Sequence, residues 1–184
     1  MARLCPDLVI DHTKMLQIRC TQKLLKEIGI KDVSLIEVET HCDKFGDWYA
    51  NLLYISRRKC VLFTNEKTLY SFLIPRVKRS SLTRLHELFL SELQINLFSE
   101  GFDHTVVTDL PKKYRDFGIA RTRSRSVLGS MTDFALQLKY IFMDREGPDS
   151  SNIIEINQRI NRVPMKAIGY KYSIERLRTA ISKG

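Results

Sequence analysis

Residues 48–75 read Trp48-Tyr-Ala-Asn-Leu-Leu-Tyr-Ile55, Ser56-Arg57-Arg58, Lys59-Cys-Val-Leu-Phe-Thr64, Asn65-Glu66-Lys67 and, after Thr68, Leu69-Tyr-Ser-Phe-Leu-Ile-Pro75. Three apolar runs of strand length are separated by short polar turns. In the first run Trp48, Ala50, Leu52 and Tyr54 share one face, and Tyr49, Asn51, Leu53 and Ile55 share the other. Cys60 to Phe63 of the second, and Leu69 to Ile74 of the third apart from Ser71, are apolar on both faces, as in a strand covered from both sides. Pro75 ends the third, because proline cannot donate to a ladder. Links this short make neighbouring strands antiparallel. The stretch therefore predicts a three-stranded meander.

Working outward, Leu16 to Cys20 reads as a further strand. Thr21 stands at the N-cap position of a short helix that carries Leu24, Leu25 and Ile28, and Gly29 stands at its stop. Residues 31–40 are irregular and 41–47 a polar loop. Downstream, Leu82, Leu85, Phe89, Leu93 and Leu97 form the stripe of a helix over 82–98, stopped by Gly101. Asp109 and Pro111 open a short helix to about Phe117, ended by Gly118. Residues 119–126 read as extended. A second long helix carries Val127, Met131, Phe134, Leu138 and Ile141, and its start falls after Ser126 or at the Ser130/Asp133 capping box. A third spans Ile153 to Val163, and a last helix starts at Ser173. Strands fall in the first half and helices in the second. The expectation is an α+β domain: an antiparallel sheet of four to five strands, centred on the 48–75 meander and covered by C-terminal helices. Residues 1–13 are expected to be an N-terminal arm and 14–184 a single domain.

The chain has 184 residues, 43% of them hydrophobic and 28% charged, values that suit one globular domain. No apolar run approaches the ~18 residues of a membrane span, and Met1-Ala-Arg-Leu-Cys-Pro-Asp7 lacks the long apolar core expected of a signal peptide. A cytoplasmic protein without membrane contact is expected. The four cysteines, Cys5, Cys20, Cys42 and Cys60, lack zinc-site spacing and read as reduced thiols. No Walker loop, nucleophile elbow, zinc-protease helix or dinucleotide fingerprint occurs. No cofactor, metal or catalytic residue is assigned.

The net charge is +9, which points to phosphate-bearing ligands or acidic partners rather than to a fold. Its densest local source is Arg121-Thr-Arg-Ser-Arg-Ser126. Residues 111–126 hold six basic side chains and one acid. If extended, 119–126 projects Arg121, Arg123 and Arg125 to one side at ~7 Å intervals. The run leads into a helix start, where free N–H groups, Gly129 and the Ser130 hydroxyl add to an anion site. Arg79, in the acid-free window 76–84, and Arg162, in the acid-free window 157–172, would extend the patch. Asn157 and Asn161 read as a set at a helix end, there either to position a ligand or to satisfy backbone groups. Asp47 could pair with an arginine, or join a second carboxylate around Mg²⁺ as in a nuclease. The favoured function is non-catalytic binding of a polyanion, RNA or DNA. The alternatives are a protein–protein interaction module for an acidic partner, as in defence or toxin–antitoxin systems, and a metal-dependent nuclease.

Five blocks also carry a resemblance: Gln17-Ile-Arg-Cys-Thr-Gln-Lys-Leu-Leu-Lys-Glu27, Gly46-Asp-Trp-Tyr-Ala-Asn-Leu-Leu53, Arg57-Arg-Lys-Cys-Val-Leu-Phe-Thr-Asn-Glu-Lys-Thr68, Ser124-Arg-Ser-Val-Leu-Gly-Ser-Met-Thr-Asp133 and Glu155-Ile-Asn-Gln-Arg-Ile-Asn-Arg-Val-Pro-Met165. They resemble a bacterial domain family of unknown function, from about Leu16 to Leu177. The resemblance implies a small one-domain cytoplasmic bacterial protein and no chemistry.

Overall fold

A computed structural model describes residues 15–30, 46–143, 147–148 and 152–182. The expected arm 1–13, the irregular 31–40, most of the 41–47 loop, and Cys5 and Cys42 lie outside the described residues. Five strands form one sheet: β1 Leu16–Cys20, β2 Trp48–Ile55, β3 Arg58–Asn65, β4 Ser71–Ile74 and β5 Phe117–Arg121, in the order β4-β3-β2-β1-β5. The meander β2-β3-β4 is antiparallel, as its short links dictate. β1, however, runs parallel to both β2 and β5, so the sheet is mixed rather than antiparallel. The cause is the length of the connections. β1 reaches β2 through a helix, α1 (Gln22–Ile28), and β4 reaches β5 through four more, and crossovers of that length join parallel strands.

Those four are α2 Arg79–Leu82, α3 Leu85–Ser99, α4 His104–Thr108 and α5 Leu110–Lys113. The helix expected over 82–98 is α3, which starts at Leu85 because Leu82 closes the separate short helix α2, and α5 stops before the expected Phe117. Then come α6 Arg125–Met143, α7 Ile153–Ile160 and α8 Ser173–Ser182. Between α7 and α8 lies the small hairpin of β6 Pro164–Met165 and β7 Lys171–Tyr172. Helices cover both faces of the sheet. One face packs Trp48, Ala50, Leu52, Phe63 and Phe72 against α1, α3 and α8. The other packs Tyr49, Leu53, Leu62 and Leu73 against α6 and α7. The alternation along β2 thus feeds two cores, which is why its neighbour β3 is apolar on both faces.

Two turns set the meander. Ser56 and Arg57 both have positive φ, 47° and 64°, the pairing that matches the strand twist in a two-residue hairpin. After β3, Asn65 Oδ1 accepts from the Thr68 N–H at 3.0 Å and the Lys67 N–H at 3.2 Å, an Asx turn.

The β4 edge is closed by side chains. Asn161 Oδ1 accepts from the Ser71 N–H at 2.8 Å, and its Nδ2 donates to the Ser71 carbonyl at 2.6 Å. One helical turn earlier, Asn157 does the same for Leu73, at 2.8 and 3.3 Å, and its Nδ2 also donates to Asn96 Oδ1 at 2.9 Å. Two amides spaced i, i+4, one in α7 and one at its C-cap, stand in for a missing strand. Of the two roles open to these residues in the sequence, the structure shows backbone satisfaction: at the helix end, where Asn161 caps α7 and its Nδ2 donates to the Asn157 carbonyl at 2.7 Å, and also at the sheet edge.

Among the described residues, no helix is long and apolar enough to cross a membrane.

Candidate functional site

The link between β5 and α6, residues 122–124, crosses the α6 face of β1 and rests on buried polar groups. They begin in β1. Gln17 and Arg19 alternate with Leu16, Ile18 and Cys20, so both point to this face. Their β5 neighbours there are Gly118 and Ala120, small enough to leave room for a guanidinium. Arg19 is 2% exposed. Its Nε donates to Asp47 Oδ2, Nη1 donates to the Arg121 carbonyl at 2.8 Å and Nη2 to Gln17 Oε1 at 2.7 Å. A charge so buried is tolerated only with a paired carboxylate and satisfied N–H groups.

Asp47, also buried, serves a second guanidinium: Arg123 Nη2 lies 3.2 Å from Asp47 Oδ2 and 3.7 Å from Glu66 Oε2. Tyr49 completes the set. Its hydroxyl accepts from the Ser124 N–H at 3.1 Å and donates to Glu66 Oε1 at 3.4 Å. Burial pushes the Tyr49 hydroxyl above its ordinary pKa, Glu66 adds to the rise, and the Ser124 N–H opposes it. Two arginines thus face two carboxylates. Asp47 has the arginine partner anticipated from sequence, and among the described residues no three or more His, Cys, Asp or Glu side chains stand together as a metal set. Removing Asp47 would strand Arg19 at ~3–5 kcal/mol, so an Asp47 variant reports stability before function.

The expected arginine comb takes a different form. The strand ends at Arg121, and α6 begins at Arg125, so 119–126 is not one extended run. Ser124 caps α6: its Oγ accepts from the Val127 N–H at 3.3 Å. Ser130 therefore lies inside the helix, buried, donating to the Ser126 carbonyl at 3.2 Å. Neither it nor Gly129 is at the helix start. Arg121, Arg123 and Arg125 remain together on one corner, all exposed. Arg79 and Arg162 do not join them. Arg79 opens α2, which packs into the core on the opposite sheet face. Arg162 follows α7 beside β4, at the far edge of the sheet from β5. It makes a two-pronged ion pair with Glu100, at 3.0 and 2.5 Å, and that carboxylate holds its pKa above the ordinary arginine value.

Gln17, Arg19, Tyr49 and Glu66 were not singled out from sequence. The available signal was Leu-Gln-Ile-Arg-Cys itself: an arginine inside a strand-length apolar run requires a buried carboxylate elsewhere in the chain.

No curated protein and no solved structure matched the chain. A family profile does, over residues 17–176. That span runs from the second residue of β1 to the first turn of α8, and with it takes in every residue of the corner and its polar base. The chain belongs to the family described as a domain of unknown function, DUF6933.

Proposed function

We propose that the protein binds a phosphate-bearing polyanion, RNA or DNA, at the β5–α6 corner, without chemistry of its own. The observation that carries this reading is the support beneath the corner. Arg19 holds the Arg121 carbonyl, Tyr49 holds the Ser124 N–H, and Asp47 with Glu66 orients Arg123, whose side chain is still 46% exposed. Three exposed arginines within five residues are therefore presented on a fixed backbone at the start of a 19-residue helix. Preorganised cations lose little freedom on binding, and the helix start adds partial positive charge. Arg121 and Arg125 flank the contact, and Arg123 anchors it. The net charge of +9 favours encounter with any polyanion.

The test is fluorescence anisotropy with labelled single-stranded RNA and DNA at rising salt. The expected result is binding that weakens sharply with salt and falls at least ~10-fold in Arg121→Glu/Arg125→Glu. Arg123 is left in place, because a glutamate there would face Asp47 and Glu66. Salt-independent binding, or an unchanged affinity in the double variant with its fold intact, refutes the reading.

A further inference from the structure

The β6–β7 hairpin lies beside the β5–α6 corner, and what it adds rests on the polyanion reading of that corner. The link between them is the β3–β4 turn, residues 65–68, which is reached from two sides. Arg123 of the corner approaches Glu66, with Nη2 3.7 Å from Oε2. From the other side Arg176, in the first turn of α8, donates from Nη2 to the Lys67 carbonyl at 3.4 Å. α8 begins at Ser173, directly after β7, so hairpin and corner flank one turn. They also share a core: Met165 and Ile168 of the hairpin pack in the same apolar cluster as Val127, in the first turn of α6.

The hairpin turns two aromatic rings to water. Tyr170 is 69% exposed and Tyr172 39%. Tyr170 also has a φ of 58°, in the left-handed region that a bulky residue rarely adopts. Its N–H donates to the Met165 carbonyl at 2.9 Å, which holds the backbone there. Glycine or asparagine would take this position at less cost, and a ring left in water returns little packing to the fold. Backbone strain of this kind gathers at ligand clamps and other functional positions. Lys166 and Lys171 belong to the same hairpin and Lys67 to the turn, all three exposed. Residues 164–172 contain no acid.

We propose that the polyanion bound at the corner is a single strand, whose phosphates run from Arg121, Arg123 and Arg125 past Lys67 and whose unpaired bases stack on Tyr170 and Tyr172. Every base has a face that an aromatic ring can cover, so stacking of this kind asks for no particular sequence. A duplex keeps its bases stacked on one another, and only a strand with free bases can offer them to a protruding ring.

The full chain is titrated by fluorescence anisotropy with fluorescent RNA and DNA strands of about 12 nucleotides, within the span of common single-strand binders, and with an abasic strand of the same length and charge. Intact strands should bind at least ~10-fold more tightly than the abasic one, an excess that stacked bases supply. Tyr170→Ala/Tyr172→Ala should remove that excess and leave the abasic affinity and the salt dependence unchanged, whereas Tyr170→Phe/Tyr172→Phe should keep it. Arg121→Glu/Arg125→Glu should weaken intact and abasic strands alike. An excess with either sugar supports the assignment, and the ratio between the two sugars separates RNA from DNA. Steep salt dependence with equal affinity for intact and abasic strands would leave the polyanion reading standing and overturn this assignment; that comparison uses the parent chain and needs no variant to fold. An alanine variant, folded by circular dichroism, that retains the full excess or weakens both ligands equally would overturn it as well. Salt-independent binding, or none, would remove the reading and the single-strand assignment together.

Discussion

Asn161→Ala tests whether the β4 edge is held by side chains. Asn161 satisfies both the N–H and the carbonyl of Ser71, a residue with no solvent exposure. Truncation leaves two buried backbone groups unmet at ~1–3 kcal/mol each. Water entering the vacated space recovers part of that, so a net loss of about 2–4 kcal/mol is expected. For a chain of this size that lowers the melting temperature by roughly 4–16 °C. Asn157→Ala acts in the same way on Leu73 and also removes the donor to Asn96. Urea unfolding should move the midpoint to lower concentration at unchanged slope, and native-state hydrogen exchange should speed up at the Ser71 and Leu73 amides. Asn161→Asp separates the two halves of the interaction. A carboxylate still accepts from the Ser71 N–H and cannot donate to the Ser71 carbonyl, so the loss should persist at neutral pH and shrink in acid, when the side chain regains a donor. Alanine variants at both positions that stay within ~0.5 kcal/mol of the parent, the range of ordinary surface changes, would refute the edge-closing role.

Two further outcomes follow from groups wholly or partly withdrawn from water. Burial on α3 raises the Glu92 pKa above its ordinary 4.5. An acid whose folded-state pKa is raised favours the folded state below its unfolded value, and that contribution is lost as pH rises through the raised one. Glu92→Gln should therefore raise the melting temperature at neutral pH and make no difference below 4.5, and an equal shift at both pH values would contradict this. Cys20 and Cys60 are buried, and burial pushes the Cys20 thiol up. In a Cys5→Ser/Cys42→Ser chain, labelling by a thiol reagent should follow unfolding by urea, since buried thiols are inert; rapid labelling of the native chain would show one of them to be accessible.

The meander was legible because three features agreed locally: apolar runs of strand length, two short polar turns, and Pro75 at the end. α1 was legible for the same reason, with Thr21 and Gly29 at its ends. The direction of β1 and β5 was not, because nothing local encodes which strand a crossover returns to. Gly118 was misread for a physical reason. Glycine after a helical segment is a stop signal, yet here it is the residue without a side chain that β5 places beside Gln17. The arginine run misled in another way. Alternating Arg and Ser fits a strand, but arginine is also a good helix former, and Ser124 is an N-cap whose Val127 lacks the side chain of a capping box. Ser130 and Asp133 have the right spacing and sit inside α6.

The two polar clusters fix what the loops leave open. A hairpin sets its own register through its turn, as Ser56-Arg57 does for β2 and β3. A parallel pair joined by a crossover has no such device, and a slip by one residue would exchange the two faces of a strand. On β5 that slip would carry Phe117 and Ile119 to the face where Gly118 and Ala120 now make room for Arg19. It would also move the Arg121 carbonyl away from Arg19 Nη1. The buried guanidinium would then lose both its space and an acceptor, a large penalty for a charge removed from water. Register between β1 and β5 is thus enforced by the need to satisfy one arginine. The same bond anchors the backbone that presents Arg121, Arg123 and Arg125, so the strand pairing and the geometry of the corner rest on the same buried charge.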